Sequence, residues 1–290
     1  MNRRDWRDLV GARVLILDGG LATLLLSKKL PGTGFCPEIF LLEKGEEVEG
    51  LHARYVRAGS DILITNTFGG NRVRLRASGM AGRLEELNRR GVQAARRAAG
   101  SRCLVAADVG PTGLYRKGKK RPPSGKVSGH FREQVAALAS AAPDLFILET
   151  FADPAEISLA IDAVRKESDL PVVALMTFGE AGKTALGFDA VRCRQACLDA
   201  GADLVGVNCS SGARSVLTAL RAMGEGFEGP LAVEPNAGLP RWRQGRSRYP
   251  EGPEVLARYG PRYLRAGARL LGGCCGTTPA HISALRRALL

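Results

Sequence analysis

The sequence predicts one parallel α/β barrel, a single (β/α)8 unit occupying residues 1–290. Three observations carry that prediction. The chain has 290 residues, of which 45% are hydrophobic, matching the roughly 250 residues that one such barrel needs. Short aliphatic or β-branched runs alternate with amphipathic helical stretches along its length. No long linker separates these units, as it would between domains.

The strands are expected, in order, at Val14–Leu17, Ile62–Ile64, Cys103–Ala107, Leu145–Leu148, Val172–Met176, Leu204–Val207, Leu231–Val233 and Arg269–Leu271. Helical periodicity occupies Gly82–Ala99, His130–Ala141, Pro154–Lys166, Ala190–Ala200, Ala213–Met223, Pro253–Ala266 and Pro279–Leu289. The first unit is looser. An apolar segment begins at Leu21, and EEVEGLHARYVRAG then reads as the helix leading into the second strand. Pro154 and Pro279 suit a first helical turn, with Asp153 and Thr278 as N-caps.

Composition narrows the function classes. No run approaches the ~18 apolar residues of a membrane span, so no membrane association is expected. The opening MNRRDWRDLVGAR has no apolar segment or cleavage site of a secretory signal behind its basic residues. Seven cysteines, an odd number, without an export signal point to a reducing cytoplasmic compartment, where clustered thiols bind metal more often than they form disulfides. The net charge of +13 fits either an arginine-rich composition or an acidic partner. Aromatic residues make up only 6% and do not interleave with basic ones, which argues against nucleic acid.

In this fold the active site lies on the loops that follow the strands. Read in order, those positions hold Asp18-Gly19-Gly20, Thr65-Asn66-Thr67, Asp108, Glu149-Thr150, Thr177, Asn208-Cys209, Glu234-Pro235-Asn236 and Cys274-Cys275. Nearly every strand ends in a polar or metal-capable residue, which points to an enzyme.

Cys209 follows the sixth strand, and Cys274 and Cys275 follow the eighth. These strands flank the seventh, so three sulfurs can converge above its end. Three thiolates with an open fourth position suit a catalytic zinc site. Gly272, Gly273 and Gly276 permit the turn that brings neighbouring cysteines to one ion. A vicinal disulfide or two unrelated thiols are the competing readings. Three anionic sulfurs cancel the charge of Zn²⁺ and leave a weak Lewis acid, better suited to keeping a substrate thiol ionised. A thiolate held there would attack a carbon electrophile such as a methyl group.

ILDGGLATLL, DILITNTFGG, ADVGPTG, LFILETFAD, GADLVGVNCS, VEPNAGLP and GARLLGGCCGTTPAHI together resemble the homocysteine S-methyltransferase family, in colinear order over nearly the whole chain. TNTF, GPTG, PNAGLP and GGCCGTTP are most similar to the homocysteine-binding module of the cobalamin-dependent methionine synthases. The resemblance implies that Cys209, Cys274 and Cys275 ligate zinc and that the homocysteine thiolate is the fourth ligand. It also implies that Asp18, the Gly19–Gly20 backbone and Glu149 hold the amino-acid end of homocysteine. A zwitterion needs one anionic partner and several N–H donors, which agrees. Asn236 is expected at the open metal position or against the substrate. Asn66 and Asn208 are weaker substrate candidates, equally explicable as loop-capping amides.

The pattern departs from the family in places. DGGLATLL resembles the branch that uses sulfonium donors, whereas TNTF and PNAGLP resemble the cobalamin branch, and Ala213 stands where relatives in that branch usually carry proline. The chain ends after one barrel, so the donor is expected to be a free small molecule or to ride on another polypeptide. The expected donors are methylcobalamin or a separate corrinoid protein, then methyltetrahydrofolate. S-methylmethionine or S-adenosylmethionine is the alternative, as is a homocysteine- and zinc-binding component that is not catalytic alone.

Two basic runs follow the third and seventh strands and are expected to rim the mouth for an anionic donor or acidic carrier, unless they are simply solvated loops. They comprise Arg116, Lys117, Lys119, Lys120 and Arg121, and then Arg241 and Arg243. Other features read as structural. GEAGKTALG has Thr177 where a phosphate loop needs glycine. Cys193 and Cys197 form a helical core stripe, and Cys36 and Cys103 are incidental thiols. His52 and His130 lie in helical stretches, and His281 is read as a surface or packing residue of the last helix.

Overall fold

A computed structural model describes residues 1–27, 36–243 and 246–290, with the side chains of residues 242–246 outside the description. The strands are β1 (Leu15–Ile16), β2 (Ile62–Ile64), β3 (Leu104–Val109), β4 (Leu145–Phe151), β5 (Val172–Met176), β6 (Leu204–Cys209), β7 (Leu231–Pro235), β8 (Arg241–Arg243), β9 (Arg246–Arg248) and β10 (Ala268–Leu271). Eight of them form one parallel sheet in the order β1-β10-β7-β6-β5-β4-β3-β2. A bridge between Leu17 and Ile62 joins its two edges. The sheet is therefore the predicted (β/α)8 barrel.

The helices are α1 (Arg3–Ala12), α2 (Leu21–Leu26), α3 (Phe40–Glu43), α4 (Gly45–Ala58), α5 (Arg72–Ala77), α6 (Leu84–Ala99), α7 (Ser124–Ala139), α8 (Pro154–Glu167), α9 (Ala190–Asp199), α10 (Ala213–Gly224), α11 (Pro253–Arg265) and α12 (Pro279–Leu289). Asp153 caps α8 through Ala155 N–H at 2.8 Å. Thr278 caps α12 in a box with His281. His281 is therefore a capping residue, 6% exposed, rather than a surface one. Its Nδ1 accepts from Thr278 N–H at 3.1 Å, so Nε2 donates to the Glu251 carbonyl at 3.0 Å.

Several elements differ from expectation, with the short helices α3 and α5 unanticipated. Helix α7 begins at Ser124, six residues before the predicted His130, because Gly125 and Gly129 weaken the helical signal there. The basic run after β7 folds into the antiparallel hairpin β8–β9. Helix α1 escapes prediction because only Trp6 and Val10 of its ten residues are buried.

Those two side chains join Leu15, Leu17, Ile62, Ala106, Leu145, Ile147, Val173, Leu175, Leu204, Ala232 and Leu270 in a cluster filling the barrel interior. Arg3 Nε anchors the helix to the buried Asp203 Oδ1 at 2.7 Å. Helix α1 thus plugs the end of the barrel opposite the strand C-termini. A second, larger core packs the outer strand faces against the helices, with Cys36, Cys103, Cys193 and Cys197 in it. Among the described residues, no helix is long and apolar enough to cross a membrane.

Candidate active site

Strand periodicity builds the floor of the site. Alternate residues point into a barrel, and five inward columns that start apolar or small end at the mouth in a polar residue. Ala106 leads to Asp108, Ile147 to Glu149, Leu175 to Thr177, Gly206 to Asn208 and Ala232 to Glu234. The interior is apolar below and acidic above.

Cys209 does not follow this count, which would put it outward with Val205 and Val207. Its φ of 57° and that of Ser210, 61°, lie in the left-handed region, which a non-glycine residue adopts only when its surroundings enforce it. The turn is held by Asn236, whose N–H donates to the Cys209 carbonyl at 3.1 Å and whose Nδ2 donates to the Ser210 carbonyl at 2.8 Å.

The vicinal pair is stitched between its neighbours. Cys274 N–H donates to the Pro235 carbonyl and Ala237 N–H to the Cys275 carbonyl, each at 2.9 Å. Gly276 has a φ of +80°, and a Cβ there would fall inside the Tyr249 ring. The three sulfurs of Cys209, Cys274 and Cys275 lie within 4.8 Å of one another, with Cys274 Sγ and Cys275 Sγ 3.9 Å apart. Hydrogen bonds from Cys274 and Cys275 settle negative charge on Cys209, pulling its thiol down to about 3. The same bonding, from Cys209, pushes Cys275 up to about 12.

Glu149 lies beside this cluster, its Oε2 4.0 Å from Cys274 Sγ. Burial and the Cys209 charge push its carboxyl up to about 7, partly opposed by a hydrogen bond with Asp108. Asn208 Nδ2 donates to Glu149 Oε2 at 2.6 Å and to Thr150 Oγ1 at 2.8 Å, while its Oδ1 accepts the Thr150 N–H at 2.9 Å. Burial also raises Asp18, Asp108 and Glu234 above the usual carboxyl range. Asp18 Oδ1, Asp108 Oδ1, Glu234 Oε1 and Asn236 Oδ1 are buried without a hydrogen-bond partner. Buried polar atoms are rarely left so, and here they mark where cationic or donor groups of a ligand are wanted.

The residues predicted from sequence divide accordingly. Cys209, Cys274, Cys275, Glu149 and Asn208 are brought together, and Asn236 braces the Cys209 turn. Asp18 closes the β1–β2 seam, its Oδ2 accepting Ile64 N–H at 3.2 Å. Gly20 corrects an expectation. Its N–H is taken by Thr277 Oγ1 at 3.0 Å, and a Cβ there would meet the Cys274 carbonyl at 2.6 Å. Gly20 therefore lets the first loop pack on the cysteine turn, and its amide is not free for a carboxylate. A Cβ on Gly19 would likewise meet Thr277 Oγ1 at 2.6 Å. Asn66 Nδ2 donates to the Pro37 carbonyl at 2.8 Å, which makes it a loop brace.

The first basic run occupies an exposed loop. Arg116, Lys117, Lys119 and Arg121 line a groove with Tyr115 and Phe188. Arg121 also pairs with Asp153 at 2.8 Å, and Lys120 is exposed beside them. Arg241 is exposed on the hairpin, while the side chain of Arg243 lies outside the described residues. Asp108 and Glu234 stood among the strand-end residues without a role, and strand parity would have found them. His52, beneath Asp18, carried no sequence signal beyond its helix.

A family model described as homocysteine S-methyltransferase matches residues 15–289. The chain is 31% identical over 300 residues to a methionine synthase of Mycobacterium tuberculosis, covering 96% of this chain and 25% of that protein. It thus spans about a quarter of the length of that relative. It is 28% identical over 300 residues to S-methylmethionine–homocysteine S-methyltransferase BHMT2 of Pongo abelii, covering 97% of this chain and 80% of that one. The fold matches the homocysteine methyltransferase MmuM of Escherichia coli in its oxidized form with a TM-score of 0.83 at 26% identity, covering 99% of both chains. The metallated form matches with a TM-score of 0.82 at 26% identity, covering 97% and 98%.

Proposed function

The chain belongs to the homocysteine S-methyltransferase family, and from that membership we propose that it moves a methyl group onto the sulfur of homocysteine, forming methionine. The carrying observation is the convergence of the Cys209, Cys274 and Cys275 sulfurs within 4.8 Å, with the Glu149 carboxylate beside them. We take residues 1–290 to act as one homocysteine-binding unit.

The donor set fits zinc. Three soft sulfur ligands with no histidine among them suit Zn²⁺, and the unpartnered Asn236 Oδ1 offers an oxygen beside the Cys209 turn. Zinc held by Cys209, Cys274 and Cys275 supplies one thing, a lowered proton affinity for a thiol bound beside them.

This chain's own groups do the rest. Glu149, fixed by Asn208, and Asp18 take the ammonium of homocysteine. The Gly19 backbone remains the candidate for its carboxylate. Glu149 Oε2, 4.0 Å from Cys274 Sγ, puts an ammonium site next to the sulfurs. Orientation is then the main catalytic term. The S–CH3 bond forms as the bond from the methyl carbon to the donor's leaving atom breaks, and that atom keeps the electron pair.

For the donor we favour methylcobalamin or a separate corrinoid protein, then methyltetrahydrofolate. PNAGLP, TNTF and the 31% identity to a methionine synthase support this. So does the basic groove of Arg116, Lys117 and Lys119, which suits an anionic donor or acidic carrier. A second reading rests on the similarity to BHMT2 across 80% of that protein and makes S-methylmethionine or S-adenosylmethionine the donor. A third makes the chain a homocysteine- and zinc-binding component of a larger methyl-transfer complex.

The test incubates purified chain and homocysteine with methylcobalamin, methyltetrahydrofolate or S-methylmethionine at low and high salt and measures methionine. The favoured reading predicts methionine from methylcobalamin or methyltetrahydrofolate, with the rate on the anionic folate falling as salt rises. Turnover only with S-methylmethionine, independent of salt, overturns the donor assignment. Product undiminished in a Cys274→Ala variant overturns the mechanism.

A further inference from the structure

His52, on α4, is 0% exposed, yet neither of its ring nitrogens has a hydrogen-bond partner. Nδ1 stands 3.8 Å from Asp18 Oδ2, beyond the ~3.2 Å limit of an ordinary N–H···O bond. Asp18 is 1% exposed and equally unfinished. Its Oδ2 accepts Ile64 N–H at 3.2 Å, while Oδ1 has no partner. Two buried polar groups thus face each other across a gap slightly too wide to bond, a costly arrangement unless something completes it. Hydrogen bonds at active sites are often long in the free protein and tighten in the complex.

We propose that His52 is a positioning residue for Asp18: when a thiol brings an α-ammonium to Asp18 Oδ1, the imidazole N–H closes on Oδ2 and fixes the carboxylate, so that the pair selects amino-acid thiols over simple ones. This rests on the reading of Asp18 as part of the homocysteine cradle. The chemistry explains the residue type. A lysine or arginine at this position would cancel the carboxylate charge and compete with the ligand. An imidazole N–H orients one carboxylate oxygen and leaves the other for the ammonium. The seam supplies the third constraint, because Ile64 N–H already holds Asp18 at the junction of β1 and β2.

The test compares homocysteine with 4-mercaptobutanoate, the same thiol without its amino group, by calorimetric titration of the zinc-loaded full chain. The wild type should bind homocysteine more tightly. His52→Leu should weaken homocysteine about tenfold, the worth of one hydrogen bond to a charged group, and change the desamino thiol less than about twofold. His52→Asn, which keeps an N–H near the Nδ1 position, should recover most of the loss. In an Asp18→Asn background, His52→Leu should cost nothing further.

Equal weakening of both thiols, or of neither, overturns the proposal. If circular dichroism shows His52→Leu unfolded, His52→Phe fills the same space and carries the same expectation. A wild type that does not distinguish the two thiols overturns the Asp18 cradle itself. A wild-type preference that His52→Leu leaves undiminished overturns only the role of His52.

Discussion

Asn208 is fully buried near the end of β6, and its amide bonds Glu149 and Thr150 and faces Cys274 Sγ at 4.0 Å. Asn208→Leu fills similar space but frees both partners, one of them charged. We expect the KM for homocysteine to rise roughly 10- to 30-fold, as befits a lost hydrogen bond to a charged group of about 1.5–2 kcal/mol, with a smaller fall in kcat. Steady-state kinetics on folded variant checks this, and an unchanged KM would remove Asn208 from the site. At this scale the sequence was informative wherever a residue ended a strand, because barrel geometry assigns such positions to the mouth. Glu149, Asn208 and the three cysteines were legible for that reason. The tie between His52 and Asp18 was not, since it joins residues 34 positions apart through a helix-to-seam contact that no period announces. Nor was the loss of the Gly20 amide to Thr277, a pairing across 257 positions.

Among the elements, the turn bearing Cys274 and Cys275 depends on one backbone conformation. Gly276→Ala forces a side chain into the left-handed region and against Tyr249. A cost of about 1–2 kcal/mol from the backbone alone is expected, and the pressure on the turn should also lower bound zinc per chain. Thermal melts together with metal analysis test both, and full zinc content in a destabilised variant would separate the turn from the metal. The glycines around the pair signalled this turn in advance. The partner turn at Cys209 gave no such signal, because its left-handed residues are cysteine and serine, held by hydrogen bonds from Asn236. Strands were read well from their apolar runs. Helix α1 was missed because a plug needs only two buried side chains, and the start of α7 was missed because two glycines hide its first turns.

Over the whole molecule, burial gathers Asp18, Asp108, Glu149 and Glu234 at the mouth, each with its carboxyl raised. A carboxyl raised by folding favours the native state below its unfolded value, near pH 4, and that advantage is lost as pH rises through the folded value, about 7 for Glu149. Arg-paired Glu133 is lowered by its hydrogen bond with Arg72 and acts oppositely, losing its contribution in acid. Chelated protein should therefore be most stable near pH 5 and lose on the order of 2 kcal/mol by pH 8, with Glu149→Gln flattening the decline. A Tm that rises from pH 5 to 8 would contradict this. The (β/α)8 architecture was legible because eight apolar runs alternate with helical stretches, but the acidity of the mouth emerges only when five inward columns are closed into one ring. The central claim is that the three cysteines, with zinc, take up homocysteine as its thiolate. Calorimetric titration of homocysteine at pH 7 in buffers of different ionisation enthalpy measures it directly. With an ordinary thiol pKa near 8.5, the zinc-loaded wild type should release about one proton more per homocysteine bound than Cys274→Ala does. Binding without proton release, or equal release after chelation, would contradict the account.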